Sequence, residues 1–125
     1  MPVARITREQ LKELIDGGNP PVLVDARLKY PYEHSTMQLP NAVRVPPHDP
    51  DPAIASLPRG REVVVYDSDP NELSSARVAA RLIAHGFSAR ALAGGLPDWV
   101  AANLPTQDKA GIRMVAPEAG ALAKG

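Results

Sequence analysis

The chain of 125 residues contains no cysteine. That absence excludes disulfides, thiolate metal sites, persulfides and thiol nucleophiles at once. There is no excess of either charge: 14 Lys and Arg balance 14 Asp and Glu. Nucleic-acid binding, or retention on an anionic membrane, would call for a basic excess, so neither is expected. No apolar run is long enough to span a bilayer. Met1 to Arg5 lacks the apolar segment of a secretory signal, and a cytoplasmic location is therefore expected. The three histidines, His34, His48 and His85, have no ligand spacing between them, so no metal site is expected, and no cofactor. What the chain has in abundance is proline, 14 in all. Five of them fall between Pro46 and Pro58, which reads as a long rigid loop rather than disorder. The length fits one domain able to bury a core around a four- or five-stranded sheet.

Along the chain, apolar strands alternate with amphipathic helices. Thr7-Arg8-Glu9-Gln10 has the capping-box form, a Thr cap with Gln three residues on. Leu11, Leu14 and Ile15 follow on one helical face, and Gly17-Gly18 ends the helix. Val22-Leu23-Val24 reads as a buried strand running into Asp25-Ala26-Arg27, and Tyr30 to Thr36 as a short helical turn. Ala42 to Val45 is a further strand, Arg61 to Tyr66 the central one, and Ala89 to Ala93 the last. Helices are expected from about Ser74 to His85 and from Pro97 to Ala102. Such alternation with short turns indicates an α/β domain with a mostly parallel sheet of about five strands and helices on both faces. The domain is expected to span residues 1–105. Residues 106–125 read as an Ala/Gly-rich tail, with one helical turn near Pro117 to Leu122.

The segment Val63-Val64-Val65-Tyr66-Asp67-Ser68-Asp69-Pro70 sits where α/β proteins usually place their chemistry. It joins the carboxyl end of a strand to the amino end of a helix, where free backbone N–H groups converge. The setting suits an anion, yet the loop carries Asp67, Asp69 and Glu72. An anion at ~5 Å from three solvated carboxylates meets repulsion on the order of 1 kcal/mol from each. A helix N-terminus returns only about 0.3–1 kcal/mol. The loop N–H groups are free instead to bond the Asp67 carboxylate, so that the site is filled by its own side chain.

Several segments together resemble a rhodanese-like domain, the sulfurtransferase fold shared with Cdc25-type phosphatases. Val22 to Arg27 resembles the family's opening strand with its Asp-x-Arg. Glu33 with Leu39-Pro40-Asn41-Ala42 resembles the family's E-Y-x-x-G-H-I-P-G-A, with Met37-Gln38 in place of Gly-His and Asn41 in place of the later Gly. Gly86-Phe87, Leu92 to Trp99 and Leu104-Pro105 resemble the closing signature of G-F, L-x-G-G-x-x-x-W and a final Pro. The resemblance covers about residues 5–105. It implies the three-layer rhodanese fold, and it places Asp67 where an active member carries its cysteine. Two residues are extra between Arg27 and Glu33, and the loop after Asp67 is about two residues longer than usual. Tyr66-Asp67 followed by Ala76-Arg77-Val78 is similar to the non-catalytic half of tandem sulfurtransferases.

A carboxylate cannot carry sulfane sulfur, so sulfur transfer through this position is excluded. The expected function is a non-catalytic binding or regulatory module with a protein partner of unknown identity, or a structural partner of a separate catalytic sulfurtransferase. Asp67, Ser68, Asp69, Pro70, Asn71, Glu72, Leu73 and Ser74 form the degenerate active-site loop, with Asp25, Arg27 and Arg77 in support. Arg27 is implied by the resemblance to pair with a carboxylate, and read alone it is equally a surface residue. Arg77 either neutralises Asp67 or Glu72 or is a solvated helix residue. His48-Asp49 reads as solvent-exposed, His85 as a residue suited to a helix C-terminus, and Trp99 as core. The alternative from another class is a Mg²⁺-dependent phosphohydrolase. A strand followed by Asp-x-Asp also opens the haloacid-dehalogenase motif, in which the first Asp attacks phosphorus and the second acts as acid.

Overall fold

Parallel strands, of which Val22–Asp25 and Val63–Tyr66 are buried on both faces, set the architecture of the computed structural model, which describes residues 3–109 and 114–115. The chain opens with β1 (Arg5–Ile6) and α1 (Arg8–Asp16), whose capping box is complete: Thr7 Oγ accepts from Gln10 N, and Gln10 Oε1 accepts from Thr7 N. Then come β2 (Val22–Asp25), α2 (Lys29–Glu33), β3 (Met37–Gln38), β4 (Val43–Arg44) and α3 (Asp51–Ala55). The chain continues with β5 (Val63–Tyr66), α4 (Leu73–Ala84), β6 (Ala89–Leu92), α5 (Gly95–Ala101), β7 (Thr106–Asp108) and β8 (Met114–Val115). β1, β6, β5, β2 and β4 form one parallel sheet in that order. Val22 to Asp25 lie in register with Val63 to Tyr66. Among the described residues no helix is long and apolar enough to cross a membrane.

Side-chain alternation along the strands builds two cores. Val22, Val24, Val63 and Val65 face α3 and α4, where they meet Ile54, Val78, Ala79 and Leu82. Leu23, Val64 and Tyr66 face α1 and α5, against Leu11, Leu96 and Trp99. Trp99 is core, as expected, and its Nε1 donates to Pro105 O at 2.8 Å.

Four features differ from the sequence reading. The proline-rich stretch is not a continuous loop but contains α3. Pro52 falls in the first turn of that helix, where a missing N–H costs nothing, and Ile54 anchors it in the core. α5 starts at Gly95, two residues before Pro97, because Gly94 and Gly95 both take positive φ and turn the chain into the helix. β1 and β3 are two-residue strands that show no period of their own. β7 continues the paired structure past residue 105, antiparallel to both β3 and β8. The expected helical turn at 117–122 lies outside the described residues.

Candidate functional site

Strand alternation also decides where the polar residues at the carboxyl ends of β2 and β5 point. Asp67 continues the series Val63, Val65 toward α4, whereas Asp25 and Arg27 continue Leu23 toward the opposite face. The two carboxylates therefore serve different faces of the sheet.

Asp67 is 1% exposed. Ser75 N donates to its Oδ2 at 2.6 Å and Asp69 N to its Oδ1 at 3.2 Å. The side chain thus occupies the amino end of α4 that an incoming anion would otherwise use. Burial pushes the Asp67 carboxyl above its ordinary value, the N–H groups of Ser75 and Asp69 pull it back, and the Asp69 charge adds to the rise. The backbone of Asp67 is held as well: Leu96 N donates to its carbonyl at 2.8 Å. Gly95, at φ +60°, has no room for a Cβ, which would fall on that same carbonyl oxygen. The β6–α5 turn is therefore packed directly onto the loop.

Glu72 is the second fixed point. It takes a left-handed φ of 56°, unusual for a residue with a side chain. Its carboxylate accepts Arg5 Nε at 2.9 Å and Nη2 at 2.6 Å, and Gly94 N at 3.2 Å. The hydrogen bonds from Arg5 hold the Glu72 carboxyl below its ordinary value, with burial opposing them. Of the two readings of Arg77 the solvated one fits: it is exposed on α4 and forms no ion pair among the described residues. Arg5, 67 residues away in sequence, supplies the charge instead because β1 lies beside β6. Asp69 is half-buried, and its Oδ1 accepts Asn71 N at 2.9 Å in a local turn.

On the other face Arg27 and Asp25 form a fork-to-fork pair, each 1% exposed. Arg27 Nε lies 3.0 Å from Asp25 Oδ1, and Nη2 lies 2.7 Å from Oδ2. Arg27 Nη2 also reaches Met37 O at 3.0 Å. Burial pulls the guanidinium down, but the bonds to Asp25 more than restore it. Tyr66, which the sequence reading placed only in a strand, donates its hydroxyl to Asp25 Oδ2 at 2.8 Å and accepts Leu39 N at 3.2 Å. Burial, followed by the Asp25 charge, raises the Tyr66 hydroxyl. Arg44 approaches Asp25 Oδ1 at 3.7 Å and stacks on Tyr32 at 4.1 Å. The network ties the end of β5, immediately before Asp67, to β2 and β4. Asn41 stands where the resembled motif has Gly and adopts φ 58°, which Asn tolerates better than most residues.

A cleft of about 310 Å³ opens over the loop, walled by Leu28, Pro31 and Pro70 with Ser68, Asp69 and Ser74 at its polar side. Among the described residues no group of three or more His, Cys, Asp or Glu is arranged to hold a metal ion. His48 is exposed, and His85 caps α4 beside Asp51, at 3.4 Å from its Oδ1.

The model of the rhodanese-like domain family matches residues 7–102. Solved structures agree. A full-length protein from Lactobacillus plantarum superposes with a TM-score of 0.73 at 26% identity, covering 83% of this chain and 87% of that one. The rhodanese-like domain of a protein from Anabaena sp. gives 0.68 at 27% identity, covering 87% and 82%. A rhodanese-related protein from Thermoplasma volcanium gives 0.65 at 19% identity, covering 82% and 96%, a likeness of fold alone. No functionally curated protein matches the chain.

Proposed function

Because the chain belongs to the rhodanese-like family, we propose that it is a member working by binding rather than by sulfur transfer, with a protein as its partner. One observation carries this reading: the Asp67 carboxylate accepts the N–H groups of Ser75 and Asp69. At the end of β5 the side chain present has no sulfur to accept or pass on, and the chain has no cysteine elsewhere to substitute for it. The same occupancy weighs against Asp67 as a phosphorus nucleophile. At 1% exposure, with an N–H held on each oxygen, its carboxylate is committed to the loop rather than presented for in-line attack.

The test is transfer of sulfur from thiosulfate to cyanide, followed as thiocyanate, run alongside hydrolysis of an aryl phosphate with Mg²⁺. The expected result is no turnover above the protein-free blank in either assay. Thiocyanate formation, or phosphate release lost in Asp67→Asn, overturns the reading.

A further inference from the structure

The cleft over the Asp67 loop is built unlike an anion site. Ser74 lines it and is only 7% exposed. Its hydroxyl makes no hydrogen bond among the described residues. Among those residues the sealed polar side-chain atom without a partner is Arg90 Nε, so the equally unbonded Ser74 Oγ is open to the cleft. Asp69 uses one oxygen for Asn71 N, and its other oxygen has no partner among the described residues. Lys29 and Arg77, exposed residues close in sequence to the lining, form no ion pair with it. The apolar part of the lining is made by Leu28, Pro31 and Pro70.

An entering group therefore meets the free Asp69 oxygen and the Ser68 and Ser74 hydroxyls, which can donate or accept, together with hydrocarbon from Leu28, Pro31 and Pro70. An anion is repelled by Asp69 and by Asp67 beneath it. A purely apolar group leaves Asp69 and Ser74 dehydrated and unpaired. A cationic head on an apolar stem satisfies both sides, the head donating to Asp69 and Ser74 Oγ and the stem lying on Leu28 and Pro31. The surroundings point to a large occupant. Leu28 (53% exposed), Tyr30 (70%) and Leu73 (66%) sit on the two segments bordering the cleft, more apolar surface than a single small amine covers. We propose that this cleft receives a lysine or arginine side chain presented by a partner protein. The proposal rests on the reading of the domain as a binding module and states the chemistry that module recognises.

The test uses ¹⁵N-labelled full-length chain and amide chemical shifts. The probes are N-acetyl-arginine amide, its uncharged citrulline counterpart, a decapeptide with one arginine flanked by leucines, and thiosulfate. The arginine probe is expected to move the amides of Leu28, Asp69 and Ser74, and the citrulline probe to leave them in place. Asp69→Asn keeps the oxygen that accepts Asn71 N, so its loop is retained; it should weaken the arginine probe by about tenfold or more, and Ser74→Ala by less. The decapeptide should bind more tightly than the single residue. Equal binding of citrulline, no loss in Asp69→Asn, or no movement at the cleft overturns the proposal. Equal affinity of the single residue and the decapeptide overturns a protein as the source of the cation. Thiosulfate moving the same amides shows an anion site and overturns the basic-side-chain proposal, and only thiocyanate formation overturns the non-catalytic reading; silence from both thiosulfate and the arginine probes removes the basic-side-chain proposal alone.

Discussion

Replacing Arg27 by Met should be among the most damaging single changes in the molecule. Met approximates the volume of the Arg27 stem, so the loss is electrostatic rather than a cavity. The change removes both arms of the pair with Asp25, at 3.0 and 2.7 Å, and the bond to Met37 O. Asp25 then remains 1% exposed with the Tyr66 hydroxyl at 2.8 Å, the Arg27 backbone N–H at 3.1 Å and Arg44 Nη1 at 3.7 Å. Breaking a buried pair from one side costs about 3–5 kcal/mol. The two remaining hydrogen bonds and the nearby Arg44 charge put this case near the lower end, about 3 kcal/mol, a large share of the roughly 5–15 kcal/mol that holds a domain together. Asp25→Asn in the same chain removes the stranded charge, so the double variant should recover about 1–2 kcal/mol relative to additivity. Equilibrium urea unfolding reads both quantities as midpoint shifts at unchanged slope. A loss below about 1 kcal/mol for Arg27→Met, or strict additivity in the double variant, would refute the claim that these two charges are one unit.

Two further predictions follow from the loop. Gly95→Ala places a Cβ on the Asp67 carbonyl at a positive φ and should cost about 2 kcal/mol or more, whereas Gly18→Ala, also at positive φ but in open space, should cost about 1 kcal/mol; urea midpoints of the two variants compare them. The acid titration of stability should separate Asp67 from Glu72. With its native pKa raised, Asp67 destabilises increasingly as pH rises from the ordinary carboxylate value through the native one, so wild type should lose ground to Asp67→Asn over that interval and then level off. With its native pKa depressed, Glu72 stabilises above the ordinary value and loses that contribution as pH falls through the native one, so wild type should lose its advantage over Glu72→Gln on acidification. Urea midpoints across about pH 3 to 7 test both slopes, and parallel curves for the two variants would contradict the assignment.

The parts of the fold that were legible in the sequence are those with local signals. The Thr7–Gln10 capping box, the valine runs of β2 and β5 and the apolar face of α4 each declare themselves within a few residues. Strands of two or three residues such as β1, β3 and β7 carry no readable alternation, and their pairing is set by distant partners. α3 was hidden because prolines read as loop, although a first-turn Pro is compatible with a helix. In the site, the acidic loop announced its conflict with anions through residue type alone. Arg5 could not be found that way, because its meeting with Glu72 depends on the neighbouring positions of β1 and β6. Tyr66 was hidden differently: it reads as strand core, and only the register beside Asp25 shows that its hydroxyl completes the buried network.

Asp67 fills the cradle at the amino end of α4 with its own carboxylate. The most direct measurement is thermal unfolding of wild type and Asp67→Ala with thiosulfate, against chloride at equal ionic strength. Wild type should be indifferent to the choice of anion, while Asp67→Ala, with Ser75 and Asp69 N–H released, should be stabilised by thiosulfate alone. That stabilisation should approach about 2.7 kcal/mol at a hundredfold excess over the dissociation constant. Selective stabilisation of wild type, or none in Asp67→Ala, would contradict the claim.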